Sequence, residues 1–362
     1  MGADPHTLPP APDPPEPDPP APITPTIPTT SGEPVARFDL PLAELQTYRA
    51  ELVEPADLDE FWTSSVADAR AFDVDVRLER VDAGLELVEV FDVTFAGFGG
   101  HPIKGWFSRP RAADGPLPAV VQYNGYGGGR GLPFQHTQWP TAGYAHLFMD
   151  TRGQGAGWGE GGETADPVGS GAATPGSMTR GIENPEDYFY RRVFIDAVRA
   201  VDAVRAIDGE DPERVAVAGG SQGGGMTIAA AALTGGLRAA MPDVPFLSHF
   251  SRAIEITDAF PYGEIVKYLS VRRGATEQVM RTLSYFDGMH LARRASAPGL
   301  FSVALMAMVC PPSTVYAAFN RWGELNGDVA KRIEVYPFNG HEGGQAYQWV
   351  HQRAWVREHL DQ

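Results

Sequence analysis

Gly219-Gly220-Ser221-Gln222-Gly223 has the pattern Gly-x-Ser-x-Gly. It follows the apolar run RVAVA and precedes the small-residue stretch MTIAAAAL. A turn that tight admits only small residues beside the serine, which is why glycines flank it. It holds the hydroxyl exposed at the end of a strand, above the first turn of a helix. That placement suits nucleophilic attack on an acyl carbon. The competing reading is a glycine-rich strand-to-helix turn that binds a phosphate or dinucleotide. The position of Ser221 favours the nucleophile.

A serine hydroxyl attacks poorly without a general base. Where the nucleophile sits on such an elbow, the chain order is serine, acid, histidine. Of nine histidines, His341 in VYPFNGHEGG follows the last apolar strand and is the candidate base. His351 and His359 lie on a C-terminal helical stretch and read as surface or packing residues. Charge developing on the acyl oxygen needs backbone donors. Gln222, just after the nucleophile, supplies one, and Tyr126 in the glycine-rich QYNGYGGGRG supplies the other. A plain glycine turn is the alternative for that loop.

These residues need a scaffold. PAVVQY, YAHLFM, RVAVAGG, LRAAMPDVPFL, LFSVALM and RIEVYPF read as strands. YRRVFIDAVRAVDAVRAI has helical spacing, with apolar positions at Val193, Ala197, Ala200, Val201 and Val204. Strands alternating with helices predict an α/β domain, a mostly parallel sheet covered on both faces. Ahead of it, PLAELQTYRAEL and PADLDEFWTSSVADARAF read as helices, the second with Asp57 or Asp59 near its N-cap. LELVEVFDVTFAGFGGHPIKGWFSRP reads as strands with glycine turns. About 50 residues separate LRAAMPDVPFL from LFSVALM, far more than one crossover helix needs. The surplus predicts a helical cap inserted at about 250–290, beside the site.

The chain of 362 residues is 43% hydrophobic, enough for one large core. A net charge of −17 argues against nucleic acid and anionic membranes as partners. One cysteine, Cys310, excludes a disulfide framework and leaves little for a cysteine-based metal site. No run approaches the roughly 18 apolar residues of a membrane span. No secretory signal is visible, so a cytoplasmic location is expected. Residues 1–34 are dominated by proline and predict a disordered or polyproline-like tail, leaving 35–362 as the folded domain.

Together these motifs resemble the acetyl xylan esterase and cephalosporin C deacetylase family, carbohydrate esterase family seven. Its marks are an Arg-Gly-Gln tripeptide, a Gly-x-Ser-Gln-Gly elbow and a His-Glu pair. Here these are Arg152-Gly153-Gln154, Gly219 to Gly223 and His341-Glu342. FDVTFAGFGG, GYAHLFMDTRGQG, MTRGIENPEDYFYRRVFIDAVRA, SYFDGMHLARR and CPPSTVYAAFN extend the likeness from residue 38 to the end. It implies an α/β-hydrolase fold and a serine esterase that removes O-acetyl groups from xylo-oligosaccharides and cephalosporin-type esters. It implies no cofactor or metal, a cytoplasmic location, and a homo-hexamer whose active sites face an internal cavity. The Arg-Gly-Gln segment is read as support for the elbow rather than as catalytic.

One departure stands out. The resemblance places the triad acid just before Cys-Pro-Pro, and that position is Ala307. Met306, Met308 and Val309 cannot replace it. Glu342 is adjacent to His341 in sequence, where side chains diverge. Asp243, at the end of LRAAMPDVPFL, is a candidate relocated acid, with a capping or surface role as the alternative. Three readings of Ala307 stay open: a substituted form of an otherwise intact esterase, an active enzyme with a relocated acid, and a non-catalytic relative that binds sugar esters.

Overall fold

The computed structural model describes residues 38–169 and 171–361. The expected proline-rich tail, residues 1–34, lies outside the described residues. Nine strands form one sheet in the order β1-β2-β3-β5-β4-β6-β7-β8-β9. They are β1 (Arg77–Val81), β2 (Val88–Ala96), β3 (Pro102–Pro110), β4 (Leu117–Tyr123), β5 (Ala145–Met149), β6 (Glu210–Gly220), β7 (Ala239–Asp243), β8 (Gly299–Ala304) and β9 (Lys331–Tyr336). β1 to β3 and the β3/β5 pair are antiparallel. The pairs β4/β5, β4/β6, β6/β7, β7/β8 and β8/β9 are parallel.

The central strands read as unbroken apolar runs because both faces are covered. β5, β8 and all of β4 from Pro118 to Val121 are buried. On one face, α2 (Leu58–Arg70), α4 (Phe189–Arg205) and α5 (Gln222–Leu233) pack into the main core with Phe107, Val121, Leu147 and Val217. On the other, α11 (Ala346–Leu360) closes a smaller core through Trp355, Val356 and Leu360 against Val120, Ala216 and Leu300. The five apolar positions expected on α4 are all buried.

Two elements differ from the sequence reading. PLAELQTYRAEL forms only the short α1 (Leu42–Leu45). Its later carbonyls are taken by tertiary donors: Asn320 Nδ2 reaches Leu45 O and Tyr48 O, and Arg321 reaches Ala50 O at 2.6 Å. Those bonds hold the chain extended and end the helix. β1 was not expected, because RLERV is exposed and charged and shows no apolar alternation. Charged side chains on an edge strand discourage pairing with another chain.

Between β7 and β8 lie α6 (Phe250–Ile256), α7 (Tyr262–Val271), α8 (Thr276–Phe286) and α9 (Gly288–Ala292). The short α3 (Gln138–Thr141) precedes β5, and α10 (Pro312–Arg321) follows Cys310-Pro311.

Candidate active site

β6 ends at Gly220 and α5 starts at Gln222, so Ser221 is the entire connection. Its backbone sits at φ 57°, ψ −117°, a conformation few non-glycine residues adopt. The turn is clamped: Ser221 N–H donates to Asp243 O at 3.0 Å, and Ser221 O accepts from Gly225 N and Phe246 N. A Cβ on Gly219 would lie 2.5 Å from the Gly223 backbone, and one on Gly223 would overlap Tyr123 O. Both positions therefore require glycine.

His341 lies in the loop after β9. Its Nε2 is 2.9 Å from Ser221 Oγ, within hydrogen-bond reach of the proton it would take. Burial pushes the imidazole below its ordinary value, with the Glu342 charge pulling weakly the other way. His341 is therefore neutral, and able to accept a proton, at neutral pH. The loop after β8 holds Ala307, three residues beyond the strand. It is tied to the histidine loop by Met306 N–H donating to Asn339 O at 3.1 Å. Ala307 is fully buried, with its methyl packed against Val244, Ala304 and Tyr336.

His341 Nδ1 is buried and has no hydrogen-bond partner. Neither nearby carboxylate holds it. Glu342 instead accepts from Asn339 Nδ2 and Gly340 N, both at 3.1 Å. Asp243 accepts from Ser302 Oγ, whose oxygen in turn accepts from Val244 N. Burial raises Asp243 to about 6, with the Ser302 hydrogen bond opposing. The one cysteine, Cys310, is buried and free, and burial pushes its thiol well up. It remains a thiol and does not compete with Ser221 as a nucleophile.

The side expected to hold the oxyanion is more fully built. Gln222 occupies the first turn of α5, where backbone N–H groups have no intrahelical acceptor and the helix dipole favours negative charge. Its side chain is committed elsewhere: it pairs with the Gln154 amide at 2.9 and 3.0 Å, and Tyr190 Oη donates to it at 2.9 Å. Gln154 Oε1 also accepts from Gly127 N at 2.9 Å. Gln154 thus joins the elbow to the glycine loop that carries Tyr126. Beside it, the fully buried Arg152 is bidentate to Asp196, at 2.5 and 2.8 Å. The Arg-Gly-Gln segment touches no reacting group.

Tyr126 is held at both ends. Its carbonyl accepts from Trp158 Nε1 at 2.7 Å, and its phenol donates to Glu264 Oε1 at 2.6 Å. Trp158 and Glu264 carry no motif and were not singled out in the sequence; their roles appear only once the loops are folded together. His351 and His359 lie on α11, away from Ser221; His359 Nδ1 bonds Trp355 O, one turn back.

Ser221, His341, Asp243, Glu342 and Trp158 line a cavity of 450 Å³. A larger one of 680 Å³ lies between the 51–57 segment and α8, and contains no paired nucleophile and base. The site cavity is the smaller, but it is the one where the chemistry converges.

A serine on a strained strand-to-helix elbow, a histidine on the loop after the last strand and a mostly parallel sheet define the α/β-hydrolase fold. Within that fold, residues 35–359 match the acetyl xylan esterase family model, and the chain belongs to that family. The acetyl xylan esterase from Paenibacillus sp. R4 superposes with a TM-score of 0.82 at 38% identity, covering 89% of this chain and 100% of that one. Acetyl xylan esterase 1 from Thermoanaerobacterium sp. JW/SL YS485 gives 0.80 at 31% identity, covering 88% and 99%. The acetyl esterase Axe7A of Xylanibacter ruminicola is 26% identical over 274 residues, 74% of this chain. The chain spans 60% of the length of that curated relative.

Proposed function

We propose that this chain is a serine acetyl esterase with an intact nucleophile, base and oxyanion site, slowed by the absence of an acid behind His341. The observation that carries the reading is the 2.9 Å contact between His341 Nε2 and Ser221 Oγ on a strained elbow. Ser221 Oγ attacks the acetyl carbonyl while His341 Nε2 takes its proton. The Gln222 and Tyr126 N–H groups hold the tetrahedral oxyanion. Collapse breaks the ester bond, His341 gives its proton to the departing alcohol, and acetyl-Ser221 remains. Water, deprotonated by His341, then releases acetate and restores the hydroxyl.

The substrates proposed are small acetylated molecules, xylo-oligosaccharides and cephalosporin-type esters, on the strength of family membership and a compact cavity of 450 Å³. The helices α6 to α9 are taken as an insertion flanking the site. A cytoplasmic homo-hexamer is proposed by the same likeness. Among the described residues no helix is long and apolar enough to cross a membrane. No metal or cofactor enters the scheme.

The triad acid fixes the histidine tautomer and stabilises the imidazolium. In serine hydrolases its loss costs on the order of 10⁴-fold in kcat, about 5.5 kcal/mol of barrier. A second reading has one observation in its favour: Asp243, on the strand beside Ser221, lines the same cavity as His341 and could serve as a relocated acid. A third, a non-catalytic binder of sugar esters, predicts binding with no chemistry at Ser221.

The experiment is hydrolysis of p-nitrophenyl acetate by this chain and its Ser221→Ala variant. A burst of nitrophenol that vanishes with Ser221→Ala supports the esterase. Its absence, together with no acetylation of Ser221 by mass spectrometry, supports the binder.

A further inference from the structure

Glu264, on α7, is 4% exposed; among the described residues no cation forms an ion pair with it, and the Arg180 charge acts on it only at longer range. A buried carboxylate without a counter-charge in contact is expensive to keep and needs donors to its oxygens. Its donors are specific. Tyr126 Oη gives a hydrogen bond to Oε1 at 2.6 Å, and Met178 N–H gives one to Oε2 at 3.0 Å. The phenol oxygen of Tyr126 itself accepts from Ser177 N–H at 2.5 Å. Gly176 closes over the carboxylate so tightly that a Cβ there would collide with both oxygens. Burial raises Glu264 above its ordinary value, and the Tyr126 hydrogen bond opposes this.

Tyr126 sits between Gly125 and Gly127, and Gly127 has φ 79°. A segment that rich in glycine has many backbone conformations and cannot hold an amide in one direction by itself. Groups outside the segment restrain it: Trp158 Nε1 on the Tyr126 carbonyl, Gln154 on the Gly127 amide, Gly155 and Gly157 N–H on the Gly127 carbonyl, and Ser177 N–H and Glu264 on the phenol. Only Glu264 comes from the helices between β7 and β8. The α7 helix is therefore wired to the oxyanion donor through two side chains.

We infer that Glu264 is a positioning residue for the oxyanion site, aiming the Tyr126 backbone N–H by anchoring the Tyr126 side chain. This rests on the esterase reading, in which Tyr126 N–H is a donor. Oxyanion donors act by being fixed in advance at the place where charge develops. A misplacement of about 1 Å can cost on the order of 10²-fold in rate. The anchor touches no substrate, so its loss falls on kcat.

The test uses Glu264→Ala, Glu264→Gln, Tyr126→Phe and the Glu264→Ala/Tyr126→Phe double variant of the full chain. Each is built both in the chain as it is, read by the nitrophenol burst rate, and with Ala307→Asp, read by steady-state kcat and KM. Glu264→Ala and Tyr126→Phe should each lower the acylation rate roughly 10- to 100-fold, with KM within about threefold. The double variant should be no slower than either single one, because both break the same link. Glu264→Gln keeps an oxygen for the phenol and should retain most of the rate. Tyr126→Phe removes one hydroxyl and guards against a folding defect in Glu264→Ala. Unchanged rates in Tyr126→Phe, or fully additive losses in the double variant, overturn the proposal. If the Ala307→Asp chain shows no Ser221-dependent cleavage at all, the esterase reading fails instead, a distinguishable result.

Discussion

On the Nε2 side of His341 the site is finished: Ser221 Oγ lies at 2.9 Å, on an elbow fixed by Asp243 O, Gly225 N and Phe246 N. On the Nδ1 side there is a buried nitrogen with no partner; Ala307, the position where the resemblance puts the acid, is buried in the loop after β8. The two halves lie a ring-width apart and differ in kind. A hydroxyl that accepts and donates is satisfied on one face. On the other, a buried N–H without an acceptor costs about 1–3 kcal/mol, and the imidazolium that forms during reaction has no carboxylate hydrogen-bonded to it. The difference separates two properties that usually travel together: acquiring a nucleophile–base pair, and running it at full rate.

Ser221→Ala removes the finished half and should abolish the burst, a loss on the order of 10³-fold or more against the chain's own rate; stopped-flow release of nitrophenol reads it. Gln154→Ala cuts the link between Gly127 N and the Gln222 amide. It should lower the acylation rate about 10- to 100-fold with KM little changed, as the oxyanion donors lose their fixed spacing. A comparable rise in KM would show a substrate contact instead.

The pH profile comes next in size. His341 must be neutral to act, and burial holds it below 6.5. Activity should therefore rise with pH through an acid limb that lies below 6.5, then level off. A carboxylate restored at position 307 should move that limb upward by about one pH unit, since it favours the imidazolium.

The smallest effect belongs to Asp243. Held by Ser302 and raised to about 6, it binds a proton more tightly in the folded chain than an ordinary aspartate near 3.9 does. The stability it contributes is fully present below about 4 and is lost as pH rises through 6. Asp243→Asn should remove that step from the thermal midpoint against pH and change the burst by less than about threefold. A loss of 10²-fold or more would instead make Asp243 the relocated acid.

Much of the candidate site could be read from the sequence because it is local. Gly219 to Gly223 are consecutive, and tight backbone approach dictates glycine at fixed offsets from Ser221. The alternating strands and helices were readable for a similar reason: β4 to β8 are buried on both faces and show it as apolar runs. β1 escaped because RLERV spends its length at an exposed edge. α1 was overestimated because the donors that end it, Asn320 and Arg321, lie some 270 residues away in the chain. Glu264 and Trp158 were invisible for the same reason. A glutamate on a helix carries no sign that its carboxylate will meet a phenol 138 positions earlier. Gln154 belongs to a motif, but its partner Gln222 is set by the fold, in which β4 lies between β5 and β6 and brings the loops after them together. Ala307 is the reverse case: nothing in the residue itself draws notice, and its interest rests on the resemblance, which puts an acid at that position.

The most direct measurement is the steady-state kcat of Ala307→Asp beside the unaltered chain, on p-nitrophenyl acetate at pH 7.5. A gain of roughly 10³- to 10⁴-fold is expected, with the burst replaced by continuous turnover. A gain of only severalfold, or ordinary turnover in the unaltered chain, would contradict the missing-acid reading.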